Sequence, residues 1–130
     1  MFIGTDIVAI EAFRQQLAMP GSSFLEVFTA QELRVANART DRAQHLAGRW
    51  AAKEALVKAW GQSLYGRPPV LADTPELWAL IEVVPDTHGR VAYRLHGDVE
   101  KLLREATTAL SISHDGDYAI AQCLLKVGDS

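Results

Sequence analysis

The segment LAGRWAAKEALVKAWG, residues 46–61, constrains the fold of this chain more than any other part of it. At about 100° per residue it predicts a helix with two unlike sides, around which the rest of the chain packs. One side carries small and apolar residues that let neighbouring backbones approach closely: Gly48, Ala51, Ala52, Ala55, Leu56 and Ala59. The other side carries four charged residues: Arg49, Lys53, Glu54 and Lys58.

The charged side of this helix has two interpretations. A Glu54–Lys58 pair at i,i+4 stabilises an isolated helix by only about 0.2–0.5 kcal/mol, and most such faces simply contact water. Arg49 and Lys53, also one turn apart, repel each other, which favours a face covered by a ligand or by another subunit. Three cations and one carboxylate on a rigid element indicate a site for an anionic phosphate ligand with a metal ion.

The composition is that of an ordinary globular protein, with 48% hydrophobic and 22% charged residues among 130. We expect a single domain over residues 1–130. No apolar run approaches the ~20 residues that cross a membrane, and no secretory signal is recognisable. The single cysteine, Cys123, excludes an internal disulfide and indicates a buried thiol in a reducing cytoplasm. A net charge of −3 without a dense basic stripe argues against nucleic-acid binding.

Turn signals and helix caps divide the rest of the chain. Thr29 followed by Glu32 matches a capping box, and Asp41 is placed to cap the central helix, which we expect to end at Gly61. Residues 61–76 contain three prolines and two glycines and are expected to form a loop. The other expected elements are strands at 2–8, 77–84, 90–95, 109–113 and 118–125, and helices at 9–17, 29–38 and 97–105. This order predicts an α+β fold, with an antiparallel sheet packed against the long central helix.

Two further residues are candidates for a site. Asp6 stands at the end of the first apolar run, where its carboxylate either caps the following helix or binds a metal ion; with Glu54 it would offer the oxygen ligands that Mg²⁺ prefers. His114 lies at a strand exit, where binding residues are often displayed. The remaining histidines are expected on the surface: His45, His88 and His96. The sequence contains no phosphate-binding loop, dinucleotide-binding motif or zinc-ligand spacing.

Three segments together resemble one known family. GTDIVAI near the start, FTAQEL with LAGRWAAKEALVKAWG in the middle, and SISHDGDYAIA near the end resemble the holo-acyl-carrier-protein synthases, the small type of 4'-phosphopantetheinyl transferase. The segments occur in the family's order and span nearly the whole chain. The WAAKEALVKA helix combined with an N-terminal G-x-D is specific to this family, whereas either motif alone is weak.

The resemblance implies transfer of 4'-phosphopantetheine from coenzyme A to a serine of apo acyl carrier protein in fatty acid biosynthesis, with release of adenosine 3',5'-bisphosphate. By position, Asp6 and Glu54 match the family's Mg²⁺ ligands, and Glu54 and Lys58 match its catalytic residues. Positions that contact coenzyme A are matched by Arg49, Lys53 and His114. The family further implies a homotrimer, with each active site between two subunits, and recognition of the acidic carrier by a basic surface near the N-terminal helices.

The chain departs from the family at two places. Ala9 and Ala12 stand where the family often has a glutamate and an arginine, so Arg14 is a candidate to replace their support of the metal or the carrier. The GQSLYG segment replaces a glycine-rich turn at the adenine end of the coenzyme A cleft. Two other functions use the same residues: a Mg²⁺-dependent hydrolase of coenzyme A or a related nucleotide, and a non-catalytic oligomeric binding module.

Overall fold

The computed structural model describes residues 1–128, which form two antiparallel sheets and a long helix. The strands are β1 (Phe2–Ala9), β2 (Ile81–Pro85), β3 (Val91–Leu95), β4 (Thr107–Asp115) and β5 (Tyr118–Lys126). The α-helices are α1 (Ile10–Ala18), α2 (Ala30–Asn37), α3 (Arg42–Ser63), α4 (Pro75–Ala79) and α5 (Gly97–Leu102), and a 3-10 helix spans Phe24–Val27. The predicted α+β class, with an antiparallel sheet against a long central helix, is confirmed.

The larger sheet has three strands, with β5 between β1 and β4, while β2 and β3 form a separate hairpin. Side chains of β5 alternate between the two faces of the sheet, as the period of a strand requires. The inward face of β5 is buried against α3 and includes the free thiol of Cys123, as expected. The inward residues of β5 are Ala119, Ala121, Cys123 and Leu125.

Glycines allow α3 to lie directly on this sheet. A Cβ added to Gly4 of β1 would lie 1.9 Å from the carbonyl oxygen of Ala55 and 2.7 Å from the amide nitrogen of Ala59. A Cβ added to Gly48, near the other end of the helix, would lie 3.1 Å from Cγ2 of Ile112 in β4. The helix therefore crosses the sheet obliquely, with its first half over β4 and its second half over β1.

The predicted helix caps are confirmed. The Thr29 side chain accepts from the backbone N–H of Glu32, whose side chain accepts from the backbone N–H of Thr29. Asp41 caps α3 by accepting from the backbone N–H of Gln44. The predicted end of α3 is wrong, because the helix continues for two residues beyond Gly61.

The predicted strand at 77–84 is wrong in its first half, which belongs to helix α4. Thr74 accepts a hydrogen bond from the backbone N–H of Leu77, and Pro75 stands in the first turn, where its fixed φ and missing N–H favour a helix start. Pairing with β3 starts only at Ile81. Helix α5 also ends earlier than expected, at Leu102.

The outward face of the three-stranded sheet is apolar and exposed. Ile7 pairs with Ile120 and Ile3 pairs with Leu124, so that these side chains lie together on the face turned away from α3. Their exposed fractions run from 39% for Leu124 to 61% for Ile7. Apolar patches of this kind commonly mark interaction surfaces.

Every helix within residues 1–128 is too short or too polar to cross a bilayer.

Candidate active site

Asp6 lies on the side of β1 that faces the central helix, and only 7% of it is exposed. Its Oδ1 accepts a hydrogen bond of 2.9 Å from Nζ of Lys58, which also donates to the carbonyl oxygen of Thr5 at 3.2 Å. Its Oδ2 is buried without a hydrogen-bond partner among residues 1–128. Asp6 does not cap α1, which begins at Ile10 without a side-chain cap. An unpaired buried carboxylate oxygen is costly, so it indicates a place for a further ligand.

Glu54 brings a second carboxylate to Asp6. Burial, followed by the neighbouring Asp6 carboxyl, raises the pKa of Glu54 to about 7. The positive charge of Lys58, one helical turn further along α3, opposes part of this rise. The hydrogen bond to Asp6 in turn raises the pKa of Lys58. The structure thus brings together three residues that the sequence analysis assigned to one site.

The two carboxylates form a donor set suited to a hard divalent cation. Within the described part of the chain, no third acidic, histidine or cysteine side chain joins Asp6 and Glu54 in a cluster of metal-binding size. The other coordination positions of a cation would therefore belong to water or to a phosphate ligand. Mg²⁺ is commonly held in this way, by one or two carboxylates together with the phosphates of a substrate.

A cleft of about 700 Å³ opens beside these carboxylates. Glu54 and Lys58 line one side of it, and residues 69–73, between α3 and α4, line another. A smaller cavity of about 240 Å³ adjoins the cleft and shares Val57, Leu77 and part of the same loop with it. The predicted loop at 61–76 therefore contributes a wall to the candidate site, although it begins later than expected.

Lys53 does not lie on a ligand-facing side of α3, where the sequence analysis placed it. Its side chain is fully buried, and its Nζ donates to Glu32 Oε1 at 2.9 Å and to the carbonyl oxygens of Trp78 at 3.0 Å and Ile81 at 2.5 Å. Burial is the main cause that lowers the pKa of Lys53, and Glu32 opposes it. An ammonium with three protein acceptors has no proton left for a ligand. Lys53 instead fixes α3 to α2, α4 and β2.

Glu82 is a buried acidic residue that the sequence analysis missed. Its Oε2 accepts from Thr29 Oγ1 at 2.5 Å, and its Oε1 lies 3.0 Å from Nε2 of His96. His96, expected on the surface without a partner, therefore belongs to this network. The strand pattern alone gave no signal, because an acidic residue in a short strand is ordinarily interpreted as facing solvent.

Arg49 and His114 lie at the opposite edge of the sheet from Asp6, where the first half of α3 covers β4. His45, expected on the surface, instead has its Nε2 buried without a partner among residues 1–128. Burial, followed by the charges of Arg49, Arg39 and His114, lowers the pKa of His45 to about 4. The i,i+4 spacing of His45 and Arg49 was the signal available in the sequence. The guanidinium groups of Arg39 and Arg49 near His45 suit an anionic group.

Arg14 does not approach the carboxylate site. Its guanidinium donates to both carboxylate oxygens of Asp41, at 3.0 and 3.1 Å, and to Glu11 at 3.2 Å. The Asp41 side chain thus joins α1 to the start of α3 while capping that helix. The expectation that Arg14 supports the metal, in place of the side chains that Ala9 and Ala12 lack, is therefore wrong.

Comparison with known proteins gives a consistent result. Residues 2–123 match the 4'-phosphopantetheinyl transferase superfamily. The chain is 54% identical over 131 residues to a holo-[acyl-carrier-protein] synthase of Corynebacterium glutamicum, covering 96% of this chain and 97% of that protein. It is 56% identical over 130 residues to the protein of the same name from Corynebacterium efficiens, and the match covers 95% of this chain and 92% of that protein. The solved ACPS–CoA complex of Chronobacterium ammoniagenes superposes with a TM-score of 0.91, at 49% identity and 98% coverage of both chains.

Proposed function

Because this chain belongs to the 4'-phosphopantetheinyl transferase superfamily, we propose that it is a holo-acyl-carrier-protein synthase. It transfers 4'-phosphopantetheine from coenzyme A to a serine hydroxyl of apo acyl carrier protein and releases adenosine 3',5'-bisphosphate, in support of fatty acid biosynthesis. The observation that carries this function is the meeting of Asp6, Glu54 and Lys58 beside a 700 Å³ cleft.

The donor set of Asp6 and Glu54 fits Mg²⁺, because the two close carboxylates share one cation, Lys58, and Oδ2 of Asp6 is buried without a partner among residues 1–128. When bound, the ion would neutralise the charge of the coenzyme A pyrophosphate and polarise the phosphorus under attack. Lys58 alone does not neutralise both carboxylates, since of the two Asp6 oxygens it donates to Oδ1 and its other bond goes to the carbonyl oxygen of Thr5.

Glu54 and Lys58 have complementary tasks in the transfer. The serine oxygen bonds to the phosphorus that carries the pantetheine arm, and the bond from that phosphorus to the bridging oxygen of the bisphosphate breaks. Glu54, whose carboxylate lines the cleft, accepts the serine proton as the general base. Lys58, one turn along the helix, stabilises or protonates the departing phosphate.

Arg49 and His114 are proposed to contact the phosphates of coenzyme A. His114 belongs to β4 and Arg49 to the first half of α3, whereas Asp6 belongs to β1 and Glu54 to the second half of α3. We propose that a homotrimer brings Arg49 and His114 of one subunit to the carboxylates of its neighbour. The exposed apolar face around Ile7 supports such an assembly. Lys53 is reassigned from coenzyme A contact to the support of α3.

The acidic carrier is proposed to bind near the N-terminal helices. Arg34 lies in α2, Arg39 lies between α2 and α3, and Arg42 begins α3, so three guanidinium groups are close along the chain. They provide a local basic surface on a protein whose net charge is −3. Arg14 is less available for this purpose because Asp41 and Glu11 pair with it.

The test is incubation of the purified protein with coenzyme A and Mg²⁺, with and without apo acyl carrier protein. Transfer predicts bisphosphate release only with the carrier and a gain of ~340 Da in the intact mass of the carrier. A carrier whose acceptor serine is replaced by alanine is the matched control. Bisphosphate release without a carrier would instead identify a hydrolase, and carrier binding without either product would identify a binding module.

A further inference from the structure

The loop between α3 and α4, residues 64–74, forms a wall of the cleft that faces Glu54 and Lys58. Its first residues are attached to the end of α3, where Arg67 donates to the carbonyl oxygen of Ser63 at 3.1 Å. The segment that lines the cleft, residues 69–73, has one side-chain hydrogen bond within the described part of the chain. In that bond, Nε1 of Trp78 donates to Oδ1 of Asp73 at 2.8 Å.

Trp78 is a fixed point for this bond. It is 9% exposed, its ring stands edge-on to that of Trp50 with centroids 4.8 Å apart, and its carbonyl oxygen accepts from Nζ of buried Lys53. The indole N–H is therefore held by the same packing that holds α3. Asp73, by contrast, is exposed, and this hydrogen bond joins its end of the segment to α4, whereas Leu71 packs against the core.

The hydrogen bond between Trp78 and Asp73 lies at the wall of the cleft. Asp73 and Trp78 both line it together with Glu54. Residues 69–71 also line the adjoining apolar cavity. A loop released at Asp73 would move the wall that these two spaces share, whereas Glu54 and Lys58 would stay on α3.

We propose that Asp73 is a positioning residue, whose acceptance of the Trp78 indole N–H holds residues 69–73 as the wall of the coenzyme A cleft. This inference rests on the proposed function. Loss of the bond weakens capture of coenzyme A, because more loop entropy must be lost when the ligand binds. It leaves bond making largely intact, because the groups that act on the phosphate are carried by other elements.

The experiment compares three substitutions with the wild-type protein. Asp73→Ala removes the acceptor, Trp78→Phe removes the donor and keeps most of the ring, and Asp73→Asn removes the charge but keeps an oxygen acceptor. KM for coenzyme A and kcat are measured in the transfer assay, and Kd for coenzyme A is measured by calorimetry. Asp98→Ala, at an exposed position of α5, is the control for loss of a surface carboxylate.

Asp73→Ala and Trp78→Phe are each expected to raise KM and Kd for coenzyme A about fivefold, with kcat within about twofold of wild type. Asp73→Asn and Asp98→Ala should keep KM and Kd for coenzyme A near the wild-type values. The double variant Asp73→Ala/Trp78→Phe should have a Kd for coenzyme A no higher than that of the single variant with the higher Kd, because both changes remove the same hydrogen bond. The thermal midpoint of each variant shows whether it is folded.

Two results would overturn the proposal while leaving the proposed function in place. One is an unchanged KM and Kd in Asp73→Ala. The other is an equal defect in Asp73→Asn, which would show that the charge and not the hydrogen bond matters. Wild-type protein that binds coenzyme A without modifying the carrier would contradict the proposed function alone. Wild-type protein that does not bind coenzyme A would overturn both.

Discussion

The carboxylates of Asp6 and Glu54, 48 residues apart in the sequence, meet where the first strand packs against the central helix. Gly4, two residues before Asp6, permits this approach because a side chain there would overlap the backbone of the helix. Lys58 compensates one oxygen of Asp6, and burial, together with the remaining negative charge of Asp6, raises the pKa of Glu54 to about 7. Folding thus assembles an acidic site that is incomplete without a cation.

This charge arrangement predicts a pH-dependent cost in stability when no metal is present. The pKa of Glu54 is about 7 in the folded protein and 4.5 as its ordinary value. Its stabilising contribution is therefore fully present below pH 4.5 and is lost as the pH rises through 7. Glu54→Gln should raise the thermal midpoint relative to wild type at pH 8 in the presence of a chelator, and much less at pH 4.5. An equal difference at both pH values would contradict the raised pKa.

Removal of the proposed base should abolish most turnover. Glu54→Gln keeps the size of the side chain but cannot accept the serine proton, so kcat should fall by about 10²- to 10⁴-fold. The measurement is carrier modification followed by intact mass, with Glu76→Gln, at an exposed position of α4, as the matched control. A loss of less than about tenfold would argue against a role as general base.

The buried pair of Lys53 and Glu32 should matter for stability more than for ligand binding. Lys53→Met leaves the Glu32 carboxylate buried without its cation, and the free energy of unfolding should fall by about 3–5 kcal/mol in urea titrations. Adding Glu32→Gln should recover part of this loss, because the uncompensated charge is then removed. A double variant less stable than Lys53→Met would show that Glu32 acts mainly through its other bonds, to the backbone of Thr29 and Val83.

Two glycines provide a matched pair for the packing of α3. Gly4→Ala places a Cβ 1.9 Å from the carbonyl oxygen of Ala55, so the free energy of unfolding should fall by about 3 kcal/mol or more. Gly61→Ala adds a methyl group to α3 at a position where no atom outside the helix lies within 4 Å. This change should raise the free energy of unfolding by about 1 kcal/mol. Similar effects of the two changes would mean that the helix does not approach β1 as closely as described.

The separation of Arg49 from Glu54 predicts complementation between inactive subunits. Arg49→Ala should mainly raise KM for coenzyme A, whereas Glu54→Gln should mainly lower kcat. If each site combines the two residues from neighbouring subunits, oligomers assembled from equal amounts of both variants should contain about a quarter of intact sites. The assay uses coexpressed, differently tagged chains at subsaturating coenzyme A. Activity no greater than the average of the two variants alone would place both residues in one subunit's site.

Much of the fold follows from local patterns, and these were predictable. The two-sided pattern of residues 46–61 indicated the central helix, and the Thr29–Glu32 capping box indicated where α2 begins. The order of strands and helices indicated an α+β fold. The errors occurred at the start of α4, where a capping Thr74 and the following proline outweighed an apolar run that resembles a strand.

The roles of individual charged residues were less predictable. Helical spacing placed Lys53 on the same side as Arg49, and only the tertiary structure shows that α2, α4 and β2 cover it. The same holds for His45, whose surroundings come from β4 as well as from its own helix, and for Asp73, whose partner Trp78 lies in a different element.

The sequence by itself therefore determined most of the secondary structure, the class of fold and, through its motifs, the residues that belong to the carboxylate site. Only the tertiary structure decided which cations remain free for a ligand, what pKa Glu54 adopts, and that a proline-containing loop forms a wall of the cleft. The physical reason is that propensity and capping act between near neighbours in the chain, whereas burial and charge interactions depend on segments that only folding brings together.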